Sequence, residues 1–261
     1  SGMIEFGDSR FHCWKKDGHG WLNMVGAIEQ SCDVYFYELA KRVGIKRIGE
    51  MAARFGFGET FNFGLPGENR GLIPTPAWKR KTFGQAWHAG ETLITSIGQG
   101  FILCTPLQLA VMTCRLVNGG RPVSPRLLQN ENRKTLKTKS LQVNPQHLRT
   151  ILKGMDKVVN GPQGTARKVV NRNMKFQFGG KSGSVQVKRI SLDERESGKF
   201  KNKDRPWHER DHAMFVAFAP LKTPRYVASV VVEHGGGGST MAAPIARDIL
   251  AETLRLNPSK S

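Results

Sequence analysis

No run of eighteen or more apolar residues occurs among these 261 residues, so the sequence offers no candidate for a membrane-spanning helix. Ser1 to Trp14 has neither the apolar core nor the flanks of a signal peptide. The opening Ser1-Gly2 has the look of a junction, which makes a longer parent chain the expectation. Cysteine is scarce: four in a chain of this size are too few for a disulfide framework. Cys104 and Cys114, at either end of an apolar helical stretch, read as buried thiols. Acidic residues are also short, 21 against 40 Lys and Arg, which leaves a formal charge of +19. Such an excess invites a nucleic-acid reading, and its distribution argues against one. Between Arg115 and Lys175, fourteen basic side chains are set against only Glu131 and Asp156. They are scattered among Asn, Gln, Pro and Val, without the interleaved aromatics of a single-strand binder and without a zinc-finger or helix-turn-helix pattern. The segment reads as a solvated basic face suited to an anionic membrane or a phosphate-bearing substrate, and no nucleic-acid partner is expected. There is no internal repeat.

What is present is the make-up of a globular, loop-rich protein, with 39% hydrophobic residues, 29 glycines and 13 prolines. Residues 1–20 carry little periodic signal but many special side chains (Asp8, His12, Cys13, Asp17, His19) and read as a structured loop. Helical spacing starts at Trp21, with Leu22, Val25 and Ile28 on one face, and breaks at Ser31-Cys32-Asp33. A second helix is predicted over Val34 to Val43, N-capped by Ser31 or Asp33 and closed at Gly44. A third covers 46–55. Residues 56–89 read as irregular, the kind of long loop that borders a cleft. Thr105-Pro106-Leu107 opens a helix to Val117, and Pro145 to Val159 forms another. Strands are predicted over Phe176 to Val187, Ala213 to Ala219 and Tyr226 to His234, followed by a helix from Met241 to Leu256. Lys188 to Asp211, with eight basic and six acidic residues, reads as a charged mobile insertion in a single domain over 1–257. The order predicts an α/β fold with a mainly antiparallel sheet flanked by helices.

The stretch with most chemistry is Phe178-Gly179-Gly180-Lys181-Ser182-Gly183-Ser184-Val185-Gln186-Val187. Lys181 supplies charge, Ser182 and Ser184 supply hydroxyls, and Gly183 removes a side chain where a partner must come close. A strand edge so equipped suits an anionic, extended ligand. By itself the stretch also fits a glycine-weakened strand with a surface lysine. Cys13, His19 and Cys32 form a second set, thiolates and an imidazole of the kind zinc prefers, which equally fits buried thiols beside a loop histidine.

Further motifs stand beside these: Ser31-Cys32-Asp33 between two helices, and Ile97-Gly98-Gln99-Gly100 ahead of Thr105-Pro106-Leu107-Gln108-Leu109-Ala110. Together with Lys181-Ser182-Gly183 they resemble the penicillin-binding transpeptidases, whose hallmarks are serine-x-x-lysine, serine-x-asparagine and lysine-threonine-glycine motifs. Trp14-Lys15-Lys16, Gly18-His19-Gly20 and His212-Ala213-Met214-Phe215-Val216-Ala217-Phe218-Ala219-Pro220 are similar to the class B penicillin-binding protein 2 family, the rod-shape elongation enzymes. The resemblance runs from about Trp14 to the C-terminal helix. It implies a serine β-lactamase-like fold and a peptidoglycan D,D-transpeptidase that cross-links cell-wall stem peptides by serine acyl transfer and is acylated by β-lactams. It also implies an inner-membrane protein with its catalytic domain in the periplasm, a membrane glycosyltransferase partner, and no cofactor for catalysis.

One departure matters: no serine here is followed by lysine three positions later. In the family that motif precedes the Ser31 element. The expectation is therefore that the chain starts after it, without the nucleophile, the pedestal and the membrane anchor, and cannot be acylated by itself. Two alternatives stand beside this reading. One is a D,D-carboxypeptidase or β-lactamase-like hydrolase, with water as acceptor; the other is a non-enzymatic, zinc-stabilised binding module.

The resemblance assigns Ser31 and Lys181 to the proton relay around the nucleophile, and makes Lys181 the positive charge that attracts the substrate carboxylate. Ser182 and Ser184 would hold that carboxylate, the Ser184 N–H would serve the oxyanion, and Gly183 would let the acyl group lie extended along the strand. Asp33 stands where the family more often has asparagine and can only accept hydrogen bonds when ionised. Some members of the family carry a structural zinc beside the active site. The resemblance implies Cys13, His19 and Cys32 as its ligands here, Cys13 in place of an aspartate. The fourth ligand would lie before residue 1, or be replaced by His12, Asp17 or water.

Overall fold

The computed structural model describes residues 1–62, 66–127, 140–171, 174–188, 190, 194 and 202–257. The chain divides into two compact units, Ser1–Leu152 and Lys153–Ser261, with the boundary inside one helix.

The first unit opens on a hairpin where the sequence pattern suggested only a loop. Strands β1 (Met3–Phe6) and β2 (Ser9–His12) pair antiparallel, Phe6 opposite Ser9. The two-residue link works because Gly7 takes φ 58°, a conformation glycine adopts at little cost. Six helices follow. α1 (Met24–Gln30) starts at Asn23, whose side chain accepts from the Gly26 N–H at 2.9 Å. α2 (Asp33–Val43) and α3 (Ile45–Phe55) are separated by Gly44 alone. The N-cap of α2 is Cys32, with no side-chain cap bond, so neither Ser31 nor Asp33 takes the capping role.

The stretch read as irregular contains α4 (Pro76–Phe83), and α5 (Ala89–Ser96) begins where that stretch ends. Thr75-Pro76 carries the same signal as Thr105-Pro106 before α6 (Pro106–Val117): a hydroxyl N-cap, then proline at the first turn, where its missing N–H costs nothing. At α5, Glu91 closes a capping box by accepting from the His88 N–H at 2.7 Å. Its other carboxylate oxygen meets Lys79 Nζ at 2.5 Å, where the lysine side chain is only 3% exposed. Cys104 and Cys114 are half-buried rather than buried, and burial pushes both thiols up from their ordinary pKa. α7 (Pro145–Asn160) carries the boundary between the units.

The second unit is built on an antiparallel sheet of order β3 (Gly179–Val185), β4 (His212–Ala219), β5 (Tyr226–Val232). Lys181 lies opposite Val216, Ser182 opposite Phe215, Gly183 opposite Met214 and Ser184 opposite Ala213. β4 is the core strand, with Ala213, Phe215, Val216, Ala217, Phe218 and Ala219 all buried. α8 (Ala243–Leu256) lays Ala243, Ala246 and Leu250 toward β4 and β5, a helical spacing of three and four with small residues that let the backbones approach. Each fully buried Phe, such as Phe178, Phe215 or Phe218, contributes about 1.5–3 kcal/mol of burial.

The fold is thus α/β with an antiparallel sheet and flanking helices. Residues 189, 191–193 and 195–201 of the charged insertion expected over Lys188 to Asp211, and the centre of the basic segment, lie outside the described residues. Among the described residues no helix is long and apolar enough to cross a membrane.

Candidate functional site

In the first unit the chemistry gathers at the end of α1. The Ser31 N–H donates to the Ile28 carbonyl at 3.3 Å and the Cys32 N–H to the Ala27 carbonyl at 3.0 Å, a Schellman closure that stops the helix. It requires a left-handed residue, and the residue there is Ser31, at φ 52° and ψ 52°. A glycine would avoid the steric cost of about 1–2 kcal/mol.

The turn is held from outside by Trp14. The indole Nε1–H donates to the Ser31 carbonyl at 2.9 Å and to the Gln30 carbonyl at 3.1 Å, and the Trp14 N–H donates to Asp33 Oδ2 at 3.0 Å. The Tyr37 hydroxyl donates to the His12 carbonyl at 3.2 Å, so the segment 12–14 is stitched to α2 at two points.

The stitching brings Cys13 and His19 to Cys32. Their ligand atoms all lie within 4.8 Å of one another, Cys13 Sγ is 3.6 Å from His19 Nδ1, and both cysteines are buried. Tetrahedral zinc ligands at about 2.3 Å (sulfur) and 2.1 Å (nitrogen) stand about 3.6 Å apart, so the footprint fits zinc. His19 Nε2 is buried without a hydrogen-bond partner among the described residues, while Nδ1 faces Cys13 Sγ. Burial pushes the Cys13 thiol up and the His19 imidazole down, the latter helped by Lys15 and the N-terminal charge; both shifts favour the neutral forms. His12 and Asp17, named above as substitutes for a fourth ligand, are not part of the cluster.

In the second unit, Lys181, Ser182, Gly183 and Ser184 occupy the middle of β3, the outer strand of the described sheet, which pairs with β4. The strand pleat puts Lys181 and Gly183 on one face, Ser182 and Ser184 on the other. Lys181 Nζ donates to the Ser182 carbonyl at 2.9 Å, which holds the ammonium close to the strand. Ser182 Oγ lies 3.3 Å from Thr165 Oγ1, and the Gly238 N–H donates to Ser184 Oγ at 3.4 Å. A Cβ on Gly183 would meet only Met214 Cβ, at an ordinary 3.5 Å. Nothing inside the described protein therefore demands a glycine at 183. At Gly238 the reverse holds, because a Cβ there would collide with the carbonyl oxygens of Met214 and Gly183.

A family model described as the penicillin binding protein transpeptidase domain matches residues 1–251. The chain belongs to the penicillin-binding protein transpeptidase family. Its curated relatives include the peptidoglycan D,D-transpeptidase MrdA of Salmonella typhimurium, 36% identical over 91% of this chain and 39% of the relative. The MrdA of Acinetobacter baumannii is 37% identical over 97% of this chain and 38% of the relative. The chain thus spans about two fifths of the length of these relatives. Among solved structures, a complex between PBP2 and MreC from Helicobacter pylori aligns with TM-score 0.84 at 33% identity, covering 98% of this chain and 44% of that one. PBP2 of Pseudomonas aeruginosa in complex with WCK 5153 aligns with TM-score 0.81 at 36% identity, covering 95% and 53%.

Within this transpeptidase fold, the three residues named for a metal come together in one cluster, and the four on β3 share one strand. Ser31 and Asp33 lie in the first unit, Lys181 to Ser184 in the second. Three residues of the site escaped the sequence reading: Trp14, Thr165 and Gly238. Trp14 was noted only as part of a motif. Thr165 follows the turn-forming run Asn160-Gly161-Pro162, and Gly238 ends the glycine run Gly235 to Gly238, neither of which signals a site by its sequence.

Proposed function

We propose that this chain is part of a peptidoglycan D,D-transpeptidase of the penicillin-binding protein 2 type. In the parent protein a serine attacks the penultimate D-alanine carbonyl of a stem peptide, terminal D-alanine leaves, and the acyl group passes from the serine to an amine of a neighbouring peptide. The observation that carries this reading is the placement of Lys181, Ser182 and Ser184 on the edge strand of the described sheet, around a glycine that the fold itself does not require. An extended acyl donor adds to such an edge as a further strand. Lys181 attracts its terminal carboxylate, the Ser182 and Ser184 hydroxyls bind it, and the Ser184 N–H faces the developing oxyanion. Ser31 belongs to the proton relay, and Asp33 orients the turn that carries Ser31 by accepting from Trp14.

None of the serines here has a lysine three positions on, so the acylated serine is assigned to another part of the parent protein. Cys13, His19 and Cys32 hold a structural zinc that fastens the segment 13–19 to the start of α2; zinc takes no part in the acyl transfer. The parent works at the bacterial inner membrane with this domain in the periplasm. It assembles with the elongation machinery, as the Helicobacter complex with MreC supports, and with a membrane glycosyltransferase.

Fluorescent penicillin labelling tests the assignment. The full-length parent forms a covalent adduct that survives denaturation, and the 261-residue chain forms none. A full-length protein that is folded and stays unlabelled would end the transpeptidase reading.

A further inference from the structure

The turn after α7 is built to deliver one hydroxyl to β3. The Ala166 N–H donates to the Val158 carbonyl at 2.9 Å, the Gly164 N–H to the Gly161 carbonyl at 3.1 Å, and Ala166 is 1% exposed. A Cβ on Gly164 would collide with the carbonyl oxygens of Lys157 and Val158, so the turn lies tight against the last turn of the helix. Asn160 Nδ2 donates to the Phe178 carbonyl at 3.0 Å, one residue before β3 begins. The turn and the strand are therefore tied at two places, Asn160 to Phe178 and Thr165 to Ser182. Thr165, β-branched and stiff about χ1, holds its hydroxyl at a defined point beside the strand.

The proton count of that pair has a consequence. Each hydroxyl has one hydrogen to donate and can accept two. If Ser182 donates to Thr165, it turns lone pairs toward any anion bound at the strand and repels it. If Thr165 donates to Ser182, the Ser182 hydrogen is released to the anion, and the two bonds polarise each other in the same sense.

We propose that Thr165 is a positioning residue for Ser182: it donates its hydroxyl hydrogen to Ser182 Oγ and so aims the Ser182 hydrogen at the carboxylate of the acyl donor. The proposal rests on the transpeptidase reading above, and makes that site selective for acyl donors that carry a free carboxylate.

The test is the rate constant for acylation of the full-length protein by a fluorescent penicillin and by its methyl ester, which lacks the carboxylate. Thr165→Val is expected to slow acylation by the acid about tenfold and to leave the ester unchanged. Thr165→Ser, which keeps the hydroxyl, stays within about threefold of the parent. In a Ser182→Ala background, Thr165→Val causes no further loss, because the group it acts through is gone. An equal loss with acid and ester, or a loss that persists beside Ser182→Ala, overturns the proposal and leaves the transpeptidase reading intact. A parent protein labelled by neither probe fails the transpeptidase reading itself, and the proposal falls with it. Should Thr165→Val fold poorly, Thr165→Ala is read by the same acid and ester comparison.

Discussion

Trp14 donates its indole N–H to the carbonyl of Ser31 at 2.9 Å, and Ser31 is the left-handed residue that ends α1. A side chain whose ring is largely exposed thus fixes a strained backbone. Trp14→Phe keeps a ring and removes the N–H. It is expected to cost about 1 kcal/mol, seen as a fall of about 2–4 °C in the Tm of the chain, and to slow penicillin acylation of the full-length protein through the freed Ser31 turn. An unchanged Tm together with unchanged acylation would show that the indole N–H is not what holds the turn.

The metal cluster makes a separate prediction. Protein purified without chelator should contain about one zinc per chain, and Cys13→Ser and Cys32→Ser should each lower the zinc content and the Tm. A chelator should lower the Tm of the parent and leave that of the cysteine variants little changed. Metal-free protein with an unaltered melting curve would reduce the cluster to two buried thiols and a histidine.

How far the sequence led is clearest at particular residues. β4 is legible because its apolar run is long, β5 because it is rich in valine, and α6 because Thr105-Pro106 announces its start. The hairpin β1–β2 escaped because four-residue strands give too short a period to read; backbone pairing and Gly7 make it. α4 escaped inside the stretch read as irregular, although Pro76 after Thr75 occupies the first helical position. The residue types of Cys13, His19 and Cys32 left zinc ligands and buried thiols equally open, and it is the fold that brings the three together. Thr165 was not legible, since a threonine acquires its meaning only when pairing brings a strand seventeen residues away to its hydroxyl.

Gly183 in β3 and Gly238, which lies against the β3–β4 pair, separate fold from function. Gly183→Ala adds a Cβ with ordinary room beside Met214, so the Tm should hold, while acylation of the full-length protein falls because the added methyl intrudes where the acyl donor lies. Gly238→Ala drives a Cβ into the Met214 and Gly183 carbonyl oxygens and should destabilise the chain by about 1–3 kcal/mol. Thermal melts of both variants check the contrast. A large loss of stability from Gly183→Ala would mean the glycine serves packing.

Lys79 and Glu91 form an ion pair in the first unit, with the lysine side chain 3% exposed and the carboxylate also closing the cap of α5. Removing one partner strands a buried charge, so Glu91→Leu should cost about 3–5 kcal/mol, read by urea denaturation. The double variant Lys79→Met with Glu91→Leu should recover much of that loss, failing only by the lost cap. If the double variant is as unstable as the single one, the pair's value lies in the cap and not in the charges.

Asp211 carries a pH signature. It is 8% exposed, its Oδ1 accepts from the Val187 N–H at 3.4 Å, and its own N–H donates to Asn202 Oδ1 at 3.1 Å. Burial raises its pKa above the ordinary 3.8, more than the Val187 bond and the charges of Arg205 and His212 lower it. A carboxyl with a raised folded-state pKa holds its proton more tightly when folded. Its stabilising contribution is therefore fully present below the unfolded value and is lost as pH rises through the folded value. Asp211→Asn keeps the acceptor and removes the titration. The stability of the parent relative to this variant should be greatest at about pH 3, below the ordinary carboxylate value, and decline as pH rises through the raised folded-state value, levelling off above it. Melting temperatures of both proteins at steps between about pH 3 and pH 8 give the curve. A parent that gains on the variant with rising pH would show that Arg205 and His212 outweigh burial at this carboxylate.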